Sequence, residues 1–423
     1  MTDQFRRPAS TASAEAPAGT DATVLGEPIA TAGTAVTRAP GAAGSAGVSR
    51  ALVLERPGTI RLQDMPIPVP GHGEVLVQVA AAGVCGSDRE LYEGARPDGF
   101  ASYPVVPGHE WSGTVAAVGD GVDAALVGAS VVGEGYRGCG TCAACRDGMP
   151  NLCASGYDET GFTRPGAFAE HLVVPARLLH VLAPDADLRA AALLEPAAVV
   201  AAAVRRAAPR PGESAAVVGA GTLGVLALQL LAAASPGRLA AIDARPERAG
   251  AAFAAGAGAF HPPGEAPEAS FDVVVETAGA PGTARGAVAL ARRGGRVVLT
   301  GIPGDPADAV PTGLLVTRAL TLATVFGAGP ADWAYAVRAF TAGLLRPGDL
   351  VTHELPLTAS AFETAVGLGA SPGAGKVLLR PSTTGPTAGP TTTGPTAAGP
   401  ILTGPTTTDP TTSDPSTDER RSR

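Results

Sequence analysis

A chain of 423 residues is long enough for two sizeable domains, and a hydrophobic fraction of 45% supports well-packed cores. The formal net charge of -8 argues against nucleic acid and against an anionic membrane surface as partners. Residues 1–20 contain no apolar stretch of the kind found in secretory signals, so we expect a cytoplasmic protein.

Both ends of the chain have low sequence complexity. Residues 1–48 are rich in Ala, Thr, Gly and Pro without an apolar period, and residues 382–423 repeat Thr, Gly and Pro. Such segments bury too little apolar surface to fold, so we expect two disordered tails. For the first, the alternative is that translation begins near Val48; for the second, it is a spacer or a partner-binding segment.

Residues 49–190 are predicted to form a β domain. Glu74-Val-Leu-Val-Gln-Val79 alternates polar and apolar side chains, and turns rich in Gly and Pro separate it from similar runs. Short β signals return in residues 346–381, which we expect to complete the same domain. The α/β segment at residues 191–345 is then an insertion near the C-terminus.

Cys85, His109 and a glutamate have the composition of a metal site with an open position. Cys85 is isolated from the other cysteines, and His109 and Glu110 follow it. Glu195 lies in an apolar run, where an unpaired buried carboxylate is costly. A Cys, a His and a carboxylate bind zinc and leave one coordination position free. The alternative for Glu195 is an ordinary acidic residue at a helix N-terminus.

The other four cysteines form a second candidate metal site. Their spacing is C-x2-C-x2-C-x7-C, and we call residues 139–153 the cysteine lobe. Four thiolates close a tetrahedron around zinc and leave no open position, so this site is predicted to be structural. The alternative, four free thiols in a surface loop, is physically poor. The four ligands are Cys139, Cys142, Cys145 and Cys153.

Residues 191–345 alternate apolar strands with Ala-rich helical stretches, which predicts a parallel sheet of βαβ units. The long apolar stretch Ala215–Ala234 contains three glycines and is predicted to be a strand, a turn and a helix rather than a membrane span. The turn has the spacing G-x-G-x-x-G of a dinucleotide site. Its residues are Gly219, Gly221, Leu223 and Gly224.

The second strand of this segment ends at Asp243, where a carboxylate would accept hydrogen bonds from the adenosine ribose and favour NAD over NADP. Arg245 and Arg248 weaken that preference, because either could offset the repulsion of a 2′-phosphate, so NADP stays possible. Two later loops, around Gly301 and Phe326, are predicted to cover the nicotinamide half.

In chain order, the segments around Cys85 and His109, the cysteine lobe, Glu195-Pro196 and the glycine-rich turn resemble the zinc-containing medium-chain alcohol dehydrogenases. The sequence is most similar to the polyol, threonine and sugar dehydrogenase branch, where Glu replaces the second Cys ligand. Residues 103–114 and 126–134 are similar to the cyclitol enzymes that oxidise 2-deoxy-scyllo-inosamine.

The resemblance implies a GroES-like β catalytic domain with an inserted Rossmann domain, a doubly wound parallel sheet. It implies one catalytic and one structural Zn²⁺ per chain, with Cys85, His109 and Glu195 as catalytic ligands and Glu110 as an exchangeable one. Ser87 matches the hydroxyl that passes on the substrate proton, and the following Asp88 matches the carboxylate that orients the zinc-bound His.

Two departures from the family pattern concern the proton path and the substrate. Many relatives carry a His where this chain has Glu90, so the proton would leave through Glu90 or through water. Polyol relatives carry an Arg at the position of Gly327.

The resemblance implies oxidation of a secondary alcohol of a small molecule to a ketone, with hydride transfer to NAD. The alternatives are an NADPH-dependent carbonyl reductase of the same fold and a threonine-type dehydrogenase. The resemblance also implies a homodimer or homotetramer.

Overall fold

The computed structural model describes residues 47–303, 308–369 and 375–381. The predicted tails lie outside these ranges, apart from Gly47 and Val48, and strand β1 begins one residue before the predicted start of the β domain. The described strands are β1 (Val48–Arg56), β2 (Thr59–Pro66), β3 (Glu74–Val84), β4 (Glu110–Val118), β5 (Ser130–Gly133), β6 (His171–Pro175), β7 (Leu179–Val181), β8 (Ser214–Val218), β9 (Arg238–Ile242), β10 (Ala259–His261), β11 (Phe271–Glu276), β12 (Ala291–Leu299), β13 (Thr321–Thr324), β14 (Val351–Pro356) and β15 (Lys376–Arg380).

The helices connect these strands and cover the faces of the sheets. Those in the described residues are α1 (Gly86–Glu93), α2 (Ala143–Arg146), α3 (Leu188–Ala191), α4 (Leu194–Ala207), α5 (Thr222–Ala233), α6 (Ala249–Ala254), α7 (Thr283–Leu290), α8 (Thr312–Thr317), α9 (Pro330–Thr341) and α10 (Ala359–Gly369). None of them is both long enough and apolar enough to cross a bilayer. The stretch Ala215–Ala234 folds as β8, a turn and α5, as predicted.

The larger β-sheet combines strands from both ends of the described chain. Its strand order is β14-β15-β3-β4-β5-β7, and β6 also pairs with β3. Successive side chains of a strand point to opposite faces, and Val75, Leu76 and Val77 of β3 are all buried. Both faces of the sheet are therefore covered at β3. Aromatic side chains, including Trp111 and Phe168, fill the core on one face.

The second sheet has six parallel strands in the order β10-β9-β8-β11-β12-β13. Sequence order reverses between β8 and β11, so the topological switch point lies at their carboxyl ends. In doubly wound sheets, ligands bind in the crevice at this point. The glycine-rich turn of residues 219–224 follows β8 directly, which places it in that crevice.

Helix α4 packs between the two sheets. Nine of its residues are Ala or Val, and no bulky polar side chain lies among its buried residues. The helix therefore packs closely against β4 of the first sheet and against β11, β12 and α5 of the second layer. One hydrophobic cluster consequently contains Val132 and Leu378 of the first sheet together with Val217 and Val275 of the second. The two sheets share a core, and the first turn of α4 carries Glu195 to their junction.

Candidate metal and nucleotide site

One cavity of about 790 Å³ lies between the two sheets. Its lining includes the candidate metal ligands Cys85, His109 and Glu195. Gly219 and Thr222 of the glycine-rich turn line it as well. The candidate metal ligands and the candidate nucleotide turn therefore border the same space.

The open metal site forms where β3 ends and β4 begins. Cys85 is the N-cap residue of α1, and its backbone N–H donates to Asp88 Oδ2 at 2.9 Å. His109 and Glu110 enter at the start of β4, and β3 pairs with this end of β4 through Gly83 and Glu110. The ligand atoms of Cys85, His109 and Glu110 lie within 4.8 Å of one another.

Asp88 lies beside the imidazole of His109. Its Oδ1 lies 3.5 Å from His109 Nδ1, and the Asp88 side chain is fully buried. Burial lowers the pKa of His109, but the negative charge of Asp88 and of the Cys85 sulfur outweighs burial and raises that pKa well above its usual value. A carboxylate at Nδ1 leaves Nε2 as the ring nitrogen available to a metal.

Glu110 has a second partner, Lys376, the single lysine of the chain. The Lys376 ammonium forms a buried ion pair with Glu110 Oε1 and donates to the Val84 carbonyl at 3.3 Å. Burial lowers the pKa of Lys376, but the charge of Glu110 outweighs it and raises that pKa. Glu110 Oε2 is buried without a hydrogen-bond partner among the described residues, so one carboxylate oxygen stays available beside Cys85 and His109.

Glu195 lines the same cavity but is not one of the three residues of the tight cluster. Burial raises the pKa of its carboxyl to about 7, and the neighbouring charge of Glu110 adds to the shift. A bound cation would relieve the cost of burying this group. Thiolate, imidazole nitrogen and carboxylate oxygen are the donor set of zinc, so the residues present fit that metal.

The cysteine lobe also fits zinc. The four sulfurs lie within 4.8 Å of one another. Backbone N–H groups point at them: Cys142 N lies 3.4 Å from Cys139 Sγ, and Ala154 N lies 3.5 Å from Cys142 Sγ. Hydrogen bonds from Thr141 and Cys142 lower the pKa of Cys139 to about 5. Amide donors around clustered sulfurs stabilise thiolates, the form that binds metal.

The glycine-rich turn needs its glycines for steric reasons. Gly219 has a φ of +94°, in the left-handed region that favours glycine. A Cβ on Gly224 would lie 1.7 Å from the Gly219 carbonyl oxygen, so only glycine lets α5 approach the end of β8 this closely. Gly221 is the N-cap of α5, and Leu223 in its first turn lines the cavity. The free N–H groups there suit a pyrophosphate.

Asp243 at the end of β9 holds this turn in place. Its Oδ2 accepts from Ala220 N at 2.7 Å and its Oδ1 from Arg245 N at 2.9 Å. Burial raises the pKa of Asp243, but these N–H donors outweigh it and lower that pKa. Arg248 Nη1 donates to the Ala220 carbonyl at 3.0 Å, so both predicted adenosine-side residues contact the turn.

The residues predicted on the nicotinamide side lie at the ends of β12 and β13. Gly301 N lies 3.3 Å from Glu276 Oε2, and Phe326 lines the cavity. Gly327 has a φ of +72°, and a Cβ there would lie 2.4 Å from the Tyr136 ring. Tyr136 thus occupies space beside the position where polyol relatives carry an Arg.

Ser87 and Glu90 both line the cavity from α1. Ser87 Oγ lies 4.0 Å from Cys85 Sγ. Glu90 is half exposed, and its Oε2 lies 3.8 Å from Arg96 Nη1. These positions put a hydroxyl next to the metal cluster and a carboxylate at the rim of the cavity.

Sequence reasoning missed a polar wall of the cavity. Arg96 Nη2 donates to the Tyr157 hydroxyl at 3.0 Å, and that hydroxyl donates to Glu159 Oε2. Burial raises the pKa of Glu159 to about 8. No motif marks these residues, because a Tyr and a Glu in a loop are ordinary. Lys376 could have been noticed from the sequence, because it is the single lysine in a chain that otherwise uses arginine.

Two family descriptions match the chain. "Alcohol dehydrogenase GroES-like domain" matches residues 71–185, and "Zinc-binding dehydrogenase" matches residues 222–342. The first range includes both cysteine groups and the second most of the parallel sheet.

Curated relatives agree with this assignment. The chain is 31% identical to L-threonine 3-dehydrogenase of Saccharopolyspora erythraea, over 75% of this chain and 95% of the relative. It is 32% identical to sorbitol dehydrogenase of Bacillus subtilis, over 60% of this chain and 75% of the relative.

Solved structures are similar as well. A zinc-binding dehydrogenase from Sinorhizobium meliloti bound to NADP has a TM-score of 0.74 and 28% identity, covering 79% of this chain and 100% of that one. An alcohol dehydrogenase from Escherichia coli CFT073 complexed with NADH has a TM-score of 0.72 and 27% identity, covering 79% and 99%. The protein therefore has a GroES-like domain and a Rossmann domain, uses zinc and NAD(P), and belongs to the zinc-containing medium-chain alcohol dehydrogenases, in the polyol and threonine dehydrogenase branch.

Proposed function

We propose that this protein oxidises a secondary alcohol of a polyol, a cyclitol or aminocyclitol, or a sugar to the ketone, with hydride transfer to NAD. One observation carries the proposal: the Cys85, His109 and Glu110 cluster and the glycine-rich turn line a single cavity. An alcohol bound at the cluster and the nicotinamide of a cofactor bound at the turn would therefore lie in the same cavity.

Zinc at this cluster supplies a Lewis acid that lowers the pKa of the substrate hydroxyl, and NAD supplies the hydride acceptor. Cys85 and His109 would hold the metal, with Glu195 as the third ligand and Glu110 as an exchangeable one. Asp88 Oδ1, 3.5 Å from Nδ1, would orient the imidazole. The Lys376 ammonium restrains Glu110 by pairing with Oε1.

The substrate proton leaves through the protein's own hydroxyl and carboxyl groups. Ser87 Oγ, beside Cys85 Sγ, would accept the proton from the substrate hydroxyl and release its own hydroxyl proton to water in the cavity. Glu90, half exposed at the cavity rim, would receive a proton from that water and pass it to solvent. The free N–H groups at the N-terminus of α5 would hold the pyrophosphate.

The polar wall supports a substrate with more than one hydroxyl or amino group. Glu159 is buried in the cavity wall, and Tyr157 uses its hydroxyl proton on Glu159 Oε2. With a pKa of about 8 the carboxyl is largely protonated at neutral pH, so its other oxygen can donate a hydrogen bond to a second polar group of the substrate. An alcohol without a second polar group would leave this donor without that partner, which is unfavourable.

The test is NAD reduction against a panel of polyols, aldoses, inositols, aminocyclitols and threonine. We expect turnover of at least one polyhydroxylated secondary alcohol with kcat/KM well above that for 2-butanol. Preferential turnover of threonine would instead establish the threonine-type alternative, to which a relative at 31% identity points. Absence of NADH formation with every compound would contradict the proposal.

The NADPH-dependent reductase has one observation in its favour. Arg245 and Arg248 both adjoin Asp243 or the turn it holds, and their charge would suit a 2′-phosphate. The buried Asp243 carboxylate opposes that phosphate, so we assign NAD. Carbonyl reduction with NADPH at a kcat/KM above that of alcohol oxidation with NAD would reverse this assignment.

A further inference from the structure

The cysteine lobe contacts the loop that follows β13 of the parallel sheet. Asn151 lies between Cys145 and Cys153 in the short 3₁₀ turn Pro150–Leu152. Its side-chain amide donates to the backbone carbonyl of Phe326. Residues 325–329, which we call the cofactor loop, connect β13 to α9 and line the cavity through Phe326 and Gly327.

A second contact between the lobe and the loop is steric. A Cβ on Gly329 would lie 2.1 Å from the Gly148 carbonyl oxygen, so the two backbones are in close contact. Pro330 also borders a small cavity of about 120 Å³ together with Gly138 and Cys145. The loop thus contacts the lobe at Phe326 and at Gly329, and Pro330, the next residue, borders the lobe as well.

The catalytic side of the cavity holds the same loop less directly. The Tyr136 ring packs against Gly327, and its centroid lies 6.3 Å from that of Phe326. These are van der Waals contacts without a preferred direction. The hydrogen bond from Asn151, in contrast, is directional and restrains the position of the Phe326 carbonyl. The position of the loop therefore depends on the fold of the lobe.

We propose that Asn151 is a positioning residue through which the cysteine lobe sets the binding of the nicotinamide half of the cofactor. The lobe takes no part in the chemistry, yet its fold places the cofactor loop. The adenosine half depends on the glycine-rich turn and Asp243, which lie at the ends of β8 and β9. The two halves of the cofactor should consequently respond differently to changes in the lobe.

The experiment compares the binding of NADH and of ADP-ribose, which lacks the nicotinamide, to the zinc-loaded protein. In N151A we expect the Kd of NADH to rise about fivefold, the factor for one lost amide–carbonyl hydrogen bond, and the Kd of ADP-ribose to stay unchanged. G329A should do the same from the other side of the contact, since its Cβ pushes the loop off the lobe. D147A, in an exposed part of the lobe, is the matched control and should bind both ligands normally.

Zinc content is measured in parallel, and N151A, G329A and D147A should each retain two zinc ions per chain. In C153S, loss of the lobe zinc should weaken NADH more than ADP-ribose; if this variant does not fold, N151A and G329A decide. Equal weakening of both ligands in N151A would show a general structural defect and overturn the proposal. Unchanged NADH affinity in both N151A and G329A would also overturn it.

Discussion

The buried pair of Lys376 and Glu110 sets the charge beside the metal ligands. Both side chains are almost fully buried, and β15 delivers the lysine from the C-terminal part of the chain to the start of β4. A buried ion pair contributes little net stability, but removing one partner leaves a charge without compensation. The main effect of this pair is therefore to restrain the position of the Glu110 carboxylate, and its net contribution to the stability of the fold is small.

K376M should destabilise the protein by about 3 kcal/mol, because the Glu110 carboxylate is then buried without its partner. The double variant E110Q/K376M should recover most of that loss, since both charges are gone. Denaturant unfolding of the three proteins checks this. Equal stability of K376M and the wild type would contradict the ion pair as described.

Glu159 should act on substrate choice rather than on the chemical step. In E159A we expect KM for a polyhydroxylated substrate to rise about fivefold, with KM for 2-butanol unchanged. E159Q should be milder, because burial keeps the carboxyl largely protonated at neutral pH, with a pKa of about 8, and the amide resembles that form. Steady-state kinetics with both alcohols checks this. Equal losses for the two alcohols would contradict the assignment.

At this scale the sequence predicted the residues that carry a motif and missed those that do not. Cys85, His109 and Asp88 follow from spacing and resemblance, and they lie together. Lys376 and Glu159 come from distant segments, and only tertiary pairing brings them to the cavity. Glu195 and Glu110 were both expected near Cys85 and His109; Glu110 lies in the tight cluster and Glu195 lines the same cavity, so the choice of third ligand stays a prediction.

At the scale of elements, the junction of β8 and α5 has the strictest sequence requirement. G224A places a methyl group where the Gly219 carbonyl oxygen lies, so the helix must move away from the strand. We expect NADH affinity to fall at least tenfold, while circular dichroism stays close to wild type. G250A on α6, where a Cβ meets nothing within 4 Å, is the control. Normal NADH binding by G224A would contradict the role of the turn.

Strands β8, β9, β11 and β12 of the parallel sheet were predictable because they contain short apolar runs bounded by turns, as at Ser214–Val218. The short strands β10 and β13 were not predicted. The register and order of strands were less accessible. β3 pairs with β4, β6 and β15, and such long-range pairing has no local signature. The predicted domain boundaries remain predictions, since α4 packs against both sheets.

At the scale of the molecule, two sheets and a shared core place a metal cluster and a nucleotide turn on one cavity. The return of β14 and β15 to the first sheet means that residues far apart in sequence complete the site. The cysteine lobe stands apart from the cluster and contacts the cofactor loop. A defect in one zinc site should therefore leave the other metal bound.

The most direct test of the central claim is zinc content together with NADH formation in C85A, using the best alcohol from the substrate panel. The wild type should hold two zinc ions per chain and form NADH. C85A should keep only the zinc of the cysteine lobe and form no NADH, because the open site has lost its thiolate. NADH formation by C85A at the wild-type rate would contradict oxidation at the Cys85 and His109 cluster.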